Sequence, residues 1–139
     1  MQKGIARFLL SGFVIVLGVF AIACASAPSA STGKTLPPEI SVTDAVAKRN
    51  AGAFILDVRE SEEWNEFHVP NSKLIPLGTL AARVSELPRD KEIVVVCRSG
   101  NRSQSGRDIL LKAGFTSVTS MAGGLTQWKS AGHPTVTGP

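Results

Sequence analysis

Cysteine is scarce in this chain of 139 residues: Cys24 and Cys97 are the two present, so at most one disulfide could form. No internal repeat or heptad array is present, and the length is that of one ordinary domain, which excludes a two-domain enzyme. A basic stripe or tail is also missing. The formal charge of +4 is spread among carboxylates, so nucleic acid, which selects clustered Lys and Arg, is not an expected partner. Charge itself is absent from residue 8 to residue 33, between Arg7 and Lys34.

That gap is informative. Lys3 and Arg7 precede sixteen uncharged and mostly apolar residues, Phe8 to Ala23, a basic n-region followed by an apolar h-region. Residues 1–23 are therefore expected to be a signal peptide. Ala21-Ile22-Ala23-Cys24 resembles the bacterial lipoprotein signal, in which the cysteine is lipidated and becomes the new N-terminus. Cleavage to a soluble protein after an Ala-x-Ala pattern at 21–23 or 25–27 is one alternative. An uncleaved anchor is another, because about 18 apolar residues as helix just span ~30 Å of hydrocarbon. Residues 24–38 then read as the lipidation site and a flexible tether, small, polar and Pro-bearing, with a reach of roughly 20 Å. The expected location is the cell envelope, as an exported protein anchored through its N-terminus to the membrane, or else secreted or periplasmic and soluble.

Residues 39–137 carry the pattern of one folded α/β domain. Strand-like runs fall at 54–58, 74–76, 93–96 and 115–119, and helical patterns at 41–50, 61–67, 79–87, 103–113 and 124–131. Ser41 and Ser61 are candidate N-caps and Gly114 a C-terminal cap. Such alternation implies a central parallel sheet of about four to five strands with helices on both faces. Ile93-Val94-Val95-Val96 is the most apolar run and the best candidate for the sheet centre.

Cys97 follows that strand directly, and Arg98-Ser99-Gly100-Asn101-Arg102-Ser103 leads into the next helix. Open parallel sheets bind ligands at the C-terminal ends of their strands. A loop of small polar residues can turn backbone N–H groups inward, adding to the positive end of the helix dipole, and Arg98 and Arg102 add full charges. These features favour thiolate over thiol and mark Cys97 as a nucleophile. Packing in the core is the plainer role for a strand-end cysteine, but the polar residues that follow it are poor core residues. Trp64 and Trp128 at helical positions are expected in the core, and His68 and His133 are expected to be structural.

The segment Cys97-Arg98-Ser99-Gly100-Asn101-Arg102-Ser103 resembles the active-site loop of single-domain rhodaneses, the thiosulfate sulfurtransferase superfamily. Leu56-Asp57-Val58-Arg59-Glu60, Glu62-Glu63-Trp64 and His68-Val69-Pro70 are similar to the first sequence box of that family. Gly114-Phe115, Met121-Ala122-Gly123-Gly124-Leu125, Trp128 and Gly132-His133-Pro134 are similar to its last. Phe67 stands where a small residue is usual, and Asn71-Ser72 replaces a common Gly-Ala.

The resemblance implies transfer of sulfane sulfur from thiosulfate or a similar anionic donor to cyanide, a thiol or a protein acceptor, through a persulfide on Cys97. No metal, nucleotide or organic cofactor is required for this. Arg98, Ser99, Gly100, Asn101, Arg102 and Ser103 would bind substrate, their amides cradling the persulfide. Asp57 is expected to hold loop backbone, and Arg59 to pair with Glu63 or Glu66. Two rivals differ in kind. A tethered sulfur-carrier or redox-sensing module would use the same cradle. A cysteine-dependent phosphatase or arsenate reductase has five residues between Cys and Arg, whereas four separate Cys97 from Arg102.

Overall fold

A computed structural model of the chain describes residues 35–139. The expected leader over 1–23, the lipidation site at Cys24 and the tether as far as residue 34 lie outside the described residues. Strands β1 (Glu39–Ile40), β2 (Phe54–Asp57), β3 (Lys73–Leu74), β4 (Ile93–Val96) and β5 (Val118–Met121) form one sheet in the order β1-β5-β4-β2-β3. All four pairings are parallel. Helices α1 (Val42–Asn50), α2 (Ser61–Glu66), α3 (Leu77–Arg83), α4 (Asn101–Lys112) and α5 (Gly124–Ser130) alternate with the strands.

As the sequence implies, β4 is the central strand. Its four β-branched residues are all buried, and their alternation feeds two cores. Ile93 and Val95 join Leu56, Leu80 and Leu110 on the face covered by α3 and α4. Val94 and Val96 join Ile55, Ala45, Leu125 and Trp128 under α1 and α5. Continuing the first alternation by one step, Cys97 belongs to the α3/α4 side. Register between β2 and β4 sets Asp57 opposite Val96, so the C-terminal ends of both strands open at the same level.

Several boundaries differ from those the sequence suggests. Glu60, not Ser61, is the N-cap of α2. Strand β3 stops before Pro76, which has no N–H to offer a ladder, and α3 begins at Leu77 and tightens into a 3-10 turn at Val84–Glu86. Helix α4 begins two residues early, placing Asn101 and Arg102 in its first turn, and Gly114 closes it as expected, with the Phe115 N–H on the Leu110 carbonyl at 3.1 Å. Strand β5 lies three residues beyond the expected start, at Val118. The folded part also reaches into the expected tether. Leu36 is buried, the Pro37 carbonyl accepts from Thr119 Oγ1 at 2.7 Å, and the Pro38 carbonyl accepts from the Ser120 amide at 3.1 Å.

Candidate active site

Cys97 is the first residue after β4 and is buried at 1% exposure. Its Sγ accepts the Gly100 amide at 3.2 Å and the Ser103 amide at 3.4 Å, so two of the loop amides expected to form the cradle are aimed at the sulfur. The turn that achieves this needs Gly100, whose φ of 107° is left-handed and disfavoured for residues with a Cβ. Ser103, fully buried, donates from Oγ to the Gly100 carbonyl at 2.6 Å and fixes the turn against the first turn of α4. Ser99 and Asn101 are exposed.

The loop is held from behind by α5. Leu125 N–H donates to the Cys97 carbonyl at 2.8 Å and Thr126 N–H to the Arg98 carbonyl at 3.0 Å. This approach is close enough that a Cβ on Gly124 would sit 2.5 Å from the Cys97 oxygen and from the Arg98 carbonyl. A glycine pair at a helix start, Gly123 as the N-cap and Gly124 as the first residue of α5, is the sequence signal for this contact. Their role is invisible without knowing that α5 packs behind the loop.

The arginines separate. Arg102 makes a two-pronged ion pair with Glu63, at 2.7 and 2.8 Å. The guanidinium bond holds the Glu63 carboxyl below its ordinary value despite desolvation, and Glu63 in turn raises Arg102. Arg98 is 66% exposed and reaches Glu63 at 3.9 Å. Glu63 also accepts the Glu60 amide, so this carboxylate ties α2 to the loop, a role the sequence did not reveal.

Asp57 and Arg59 correct two expectations. The carboxylate of Asp57 accepts the backbone amide and the guanidinium of Arg59, with Nη2 to Oδ2 at 2.7 Å, and does not hold the cysteine loop. Arg59 pairs with that carboxylate rather than with those of Glu63 or Glu66. Its other N–H groups donate to the carbonyls of Glu63 and Phe67 at 3.1 and 2.7 Å. Both side chains are essentially inaccessible, at 0% and 2% exposure, which makes a fully bonded internal strut. It braces the turn from β2 into α2.

His68 and His133 are structural, as expected: His68 stacks on Trp64 at 3.6 Å and bonds to the Trp64 carbonyl through Nδ1, and His133 leans on Trp128. Both tryptophans are buried. Asn71 takes a left-handed turn position at φ 65°, which asparagine tolerates better than most residues, while Ser72 Oγ donates to the Val69 carbonyl at 2.6 Å. The Asn71-Ser72 departure thus still builds a turn.

Beside the loop lies an open cleft of about 390 Å³, bounded by Glu63 and Glu66 of α2, Phe67, Arg98, and Thr126 and Lys129 of α5. Lys129 Nζ sits 4.3 Å from the centre of the Phe67 ring. Among the described residues, no three His, Cys, Asp or Glu side chains converge as a metal site.

Comparison with known proteins agrees with this arrangement. The thiosulfate sulfurtransferase GlpE of Pseudomonas savastanoi pv. phaseolicola is 36% identical over 97 residues, covering 70% of this chain and 88% of the relative. A putative sulfur carrier protein, YrkF of Bacillus subtilis, is 40% identical over 74 residues, 53% of this chain and 40% of its own length. The crystal structure of a rhodanese-related protein from Thermoplasma volcanium superposes with a TM-score of 0.67 at 32% identity, covering 72% of this chain and 98% of that one. Residues 41–131, from α1 to the end of α5 and including the whole cysteine loop, match the rhodanese-like domain. The chain belongs to the rhodanese-like domain family and is a rhodanese-type sulfurtransferase.

Proposed function

We propose that Cys97 is the sulfur-carrying nucleophile and that thiosulfate, or a donor of similar chemistry, loads it. The Cys97 thiolate attacks the outer sulfur of the donor, the donor S–S bond breaks, and sulfite leaves with the bonding pair. A persulfide remains on Cys97. Cyanide or a thiolate then attacks the terminal sulfur, and Cys97 leaves as thiolate, so one displacement becomes two through a covalent intermediate. The observation that carries this reading is the aim of the Gly100 and Ser103 amides at Sγ. Fixed donors of this kind stabilise negative charge on the attacking sulfur and on the persulfide without reorganising. In this reading Arg98, exposed at the loop, meets the anionic donor, and Arg102 meets it when the donor displaces Glu63.

Intact mass measurement of the full chain after incubation with thiosulfate tests the reading. A gain of about one sulfur (~32 Da) is expected, and none in Cys97→Ser. Absence of the adduct together with absence of cyanide-dependent thiocyanate formation would remove it. A carrier role has specific support in the similarity to the Bacillus subtilis protein. It would appear as a loaded Cys97 that small thiols and cyanide do not discharge. The leader pattern of residues 1–24 supports placing this chemistry at the cell envelope. Loss of membrane association in Cys24→Ala, followed by fractionation, tests the anchor.

A further inference from the structure

The ion pair between Arg102 and Glu63 does more than brace α2 against the loop, because it fills the guanidinium that an anionic sulfur donor would use. The two terminal nitrogens of Arg102 hold one carboxylate oxygen each, at 2.7 and 2.8 Å. A guanidinium offers parallel N–H groups to paired oxygens, and the sulfonate end of thiosulfate presents oxygens of the same sign and a similar spacing. Arg102 is raised chiefly by its bond to Glu63 and more weakly by the charge of Cys97, so one guanidinium faces both the reacting sulfur and the carboxylate. The pair is also open to exchange. Its side chains are 33% and 19% exposed, whereas Arg59 and Asp57 are sealed. Release would not strand Glu63, since the Glu60 amide and Arg98, at 3.9 Å, stay beside it.

We propose that Glu63 is a specificity-determining residue, an internal anion that holds the place of the sulfur donor on Arg102, a role that rests on the persulfide chemistry proposed above and concerns its first step. A donor whose leaving group carries two anionic oxygens remakes on Arg102 the two bonds it breaks at Glu63. A single-point anion such as chloride remakes one, and a neutral reagent none, so both leave the pair closed. The transfer itself is unaltered: the outer sulfur passes to Cys97 and sulfite leaves with the bonding pair.

Two rates on the full chain test this role: sulfur uptake from thiosulfate, read as the ~32 Da gain, and alkylation of Cys97 by iodoacetamide, read by peptide mass. Iodoacetamide is neutral and reports the thiolate alone, so the ratio of uptake to alkylation isolates the anion site. Glu63→Gln is expected to raise that ratio about two- to fivefold, the range open to a partly exposed ion pair. Glu66→Gln removes the same charge from the same cleft, but among the described residues Glu66 has no ion pair, and the ratio is expected to stay near that of the wild type. In an Arg102→Ala background the gain from Glu63→Gln is expected to vanish, because the two residues act as one unit. In the wild-type chain, which needs no variant to fold, sulfate is expected to slow uptake more than chloride does at equal ionic strength. A ratio unchanged or lowered by Glu63→Gln, an equal rise in Glu66→Gln, a gain that persists without Arg102, or equal slowing by sulfate and chloride overturns the role of Glu63 alone. A wild-type chain that takes up no sulfur from thiosulfate overturns the proposed function and this role together.

Discussion

Substitution of Gly124 by alanine isolates the contact between α5 and the cysteine loop. Gly124 has a φ of 57°, and a Cβ there would lie 2.5 Å from the Cys97 and Arg98 carbonyl groups. The left-handed backbone alone costs about 1–2 kcal/mol for a residue with a Cβ. Relief of the clash must move the start of α5 away from the loop, which sacrifices the Leu125 and Thr126 bonds to those carbonyls, each contributing about 1 kcal/mol. The expected loss is about 3–4 kcal/mol, a large share of the ~5–15 kcal/mol of a typical domain. Gly52 supplies the control. Its φ is 95°, yet nothing lies within 4 Å of an added Cβ, so Gly52→Ala carries backbone strain without the clash, about 1–2 kcal/mol. At a urea slope of about 1–3 kcal/mol/M, the 2 kcal/mol difference puts the Gly124→Ala midpoint roughly 0.7–2 M below that of Gly52→Ala. Sulfur uptake by Cys97 is expected to fall in Gly124→Ala and to persist in Gly52→Ala. Equal midpoints, or full uptake in Gly124→Ala, would refute the view that α5 holds the loop in shape.

Three further outcomes are expected. Arg59→Ala leaves Asp57 as an unpaired buried charge and should cost about 3–5 kcal/mol, whereas Asp57→Asn combined with Arg59→Met should recover most of it; urea unfolding of the three proteins decides. Ser103→Ala removes the 2.6 Å bond to the Gly100 carbonyl and should cost about 1–3 kcal/mol, together with slower sulfur uptake in single-turnover mass measurements. The Glu63 carboxyl is lowered from its ordinary value of 4.5 by Arg102. Its contribution to stability is thus complete above that value and lost as pH falls through the lower folded one. Urea midpoints followed downward from about pH 6 should decline less steeply in Glu63→Gln than in the wild-type chain, and parallel curves would exclude the pair as a source of acid lability.

The parts of the fold and site legible in the sequence are those whose signal is local. Four consecutive β-branched residues announce β4, and a cysteine followed by small polar and basic residues announces the loop. Strand β5 is obscured because Thr119 and Ser120 are fully buried polar residues. Their hydroxyls are satisfied by the Pro37 and Pro38 carbonyls, 82 positions away, so a polar stretch becomes interior by long-range bonding. The same contacts hide the start of the domain inside a segment that looks like a linker. Glu63 was legible as a charge on α2 but its partner was not, since Arg102 is 39 positions distant. Arg59, with carboxylates four and seven positions ahead, finds its partner two positions behind instead.

The bonds from α5 to the loop also have a consequence in time. Gly124 follows Cys97 by 27 residues, so a chain emerging amino-terminus first presents its sulfur well before the backstop of the loop exists. Without α5 the Cys97 and Arg98 carbonyls lack the Leu125 and Thr126 amides that hold the loop, and a thiol outside its formed loop is open to oxidants. A chain in which α5 docks late leaves this sulfur exposed to oxidation for longer than one in which it docks early.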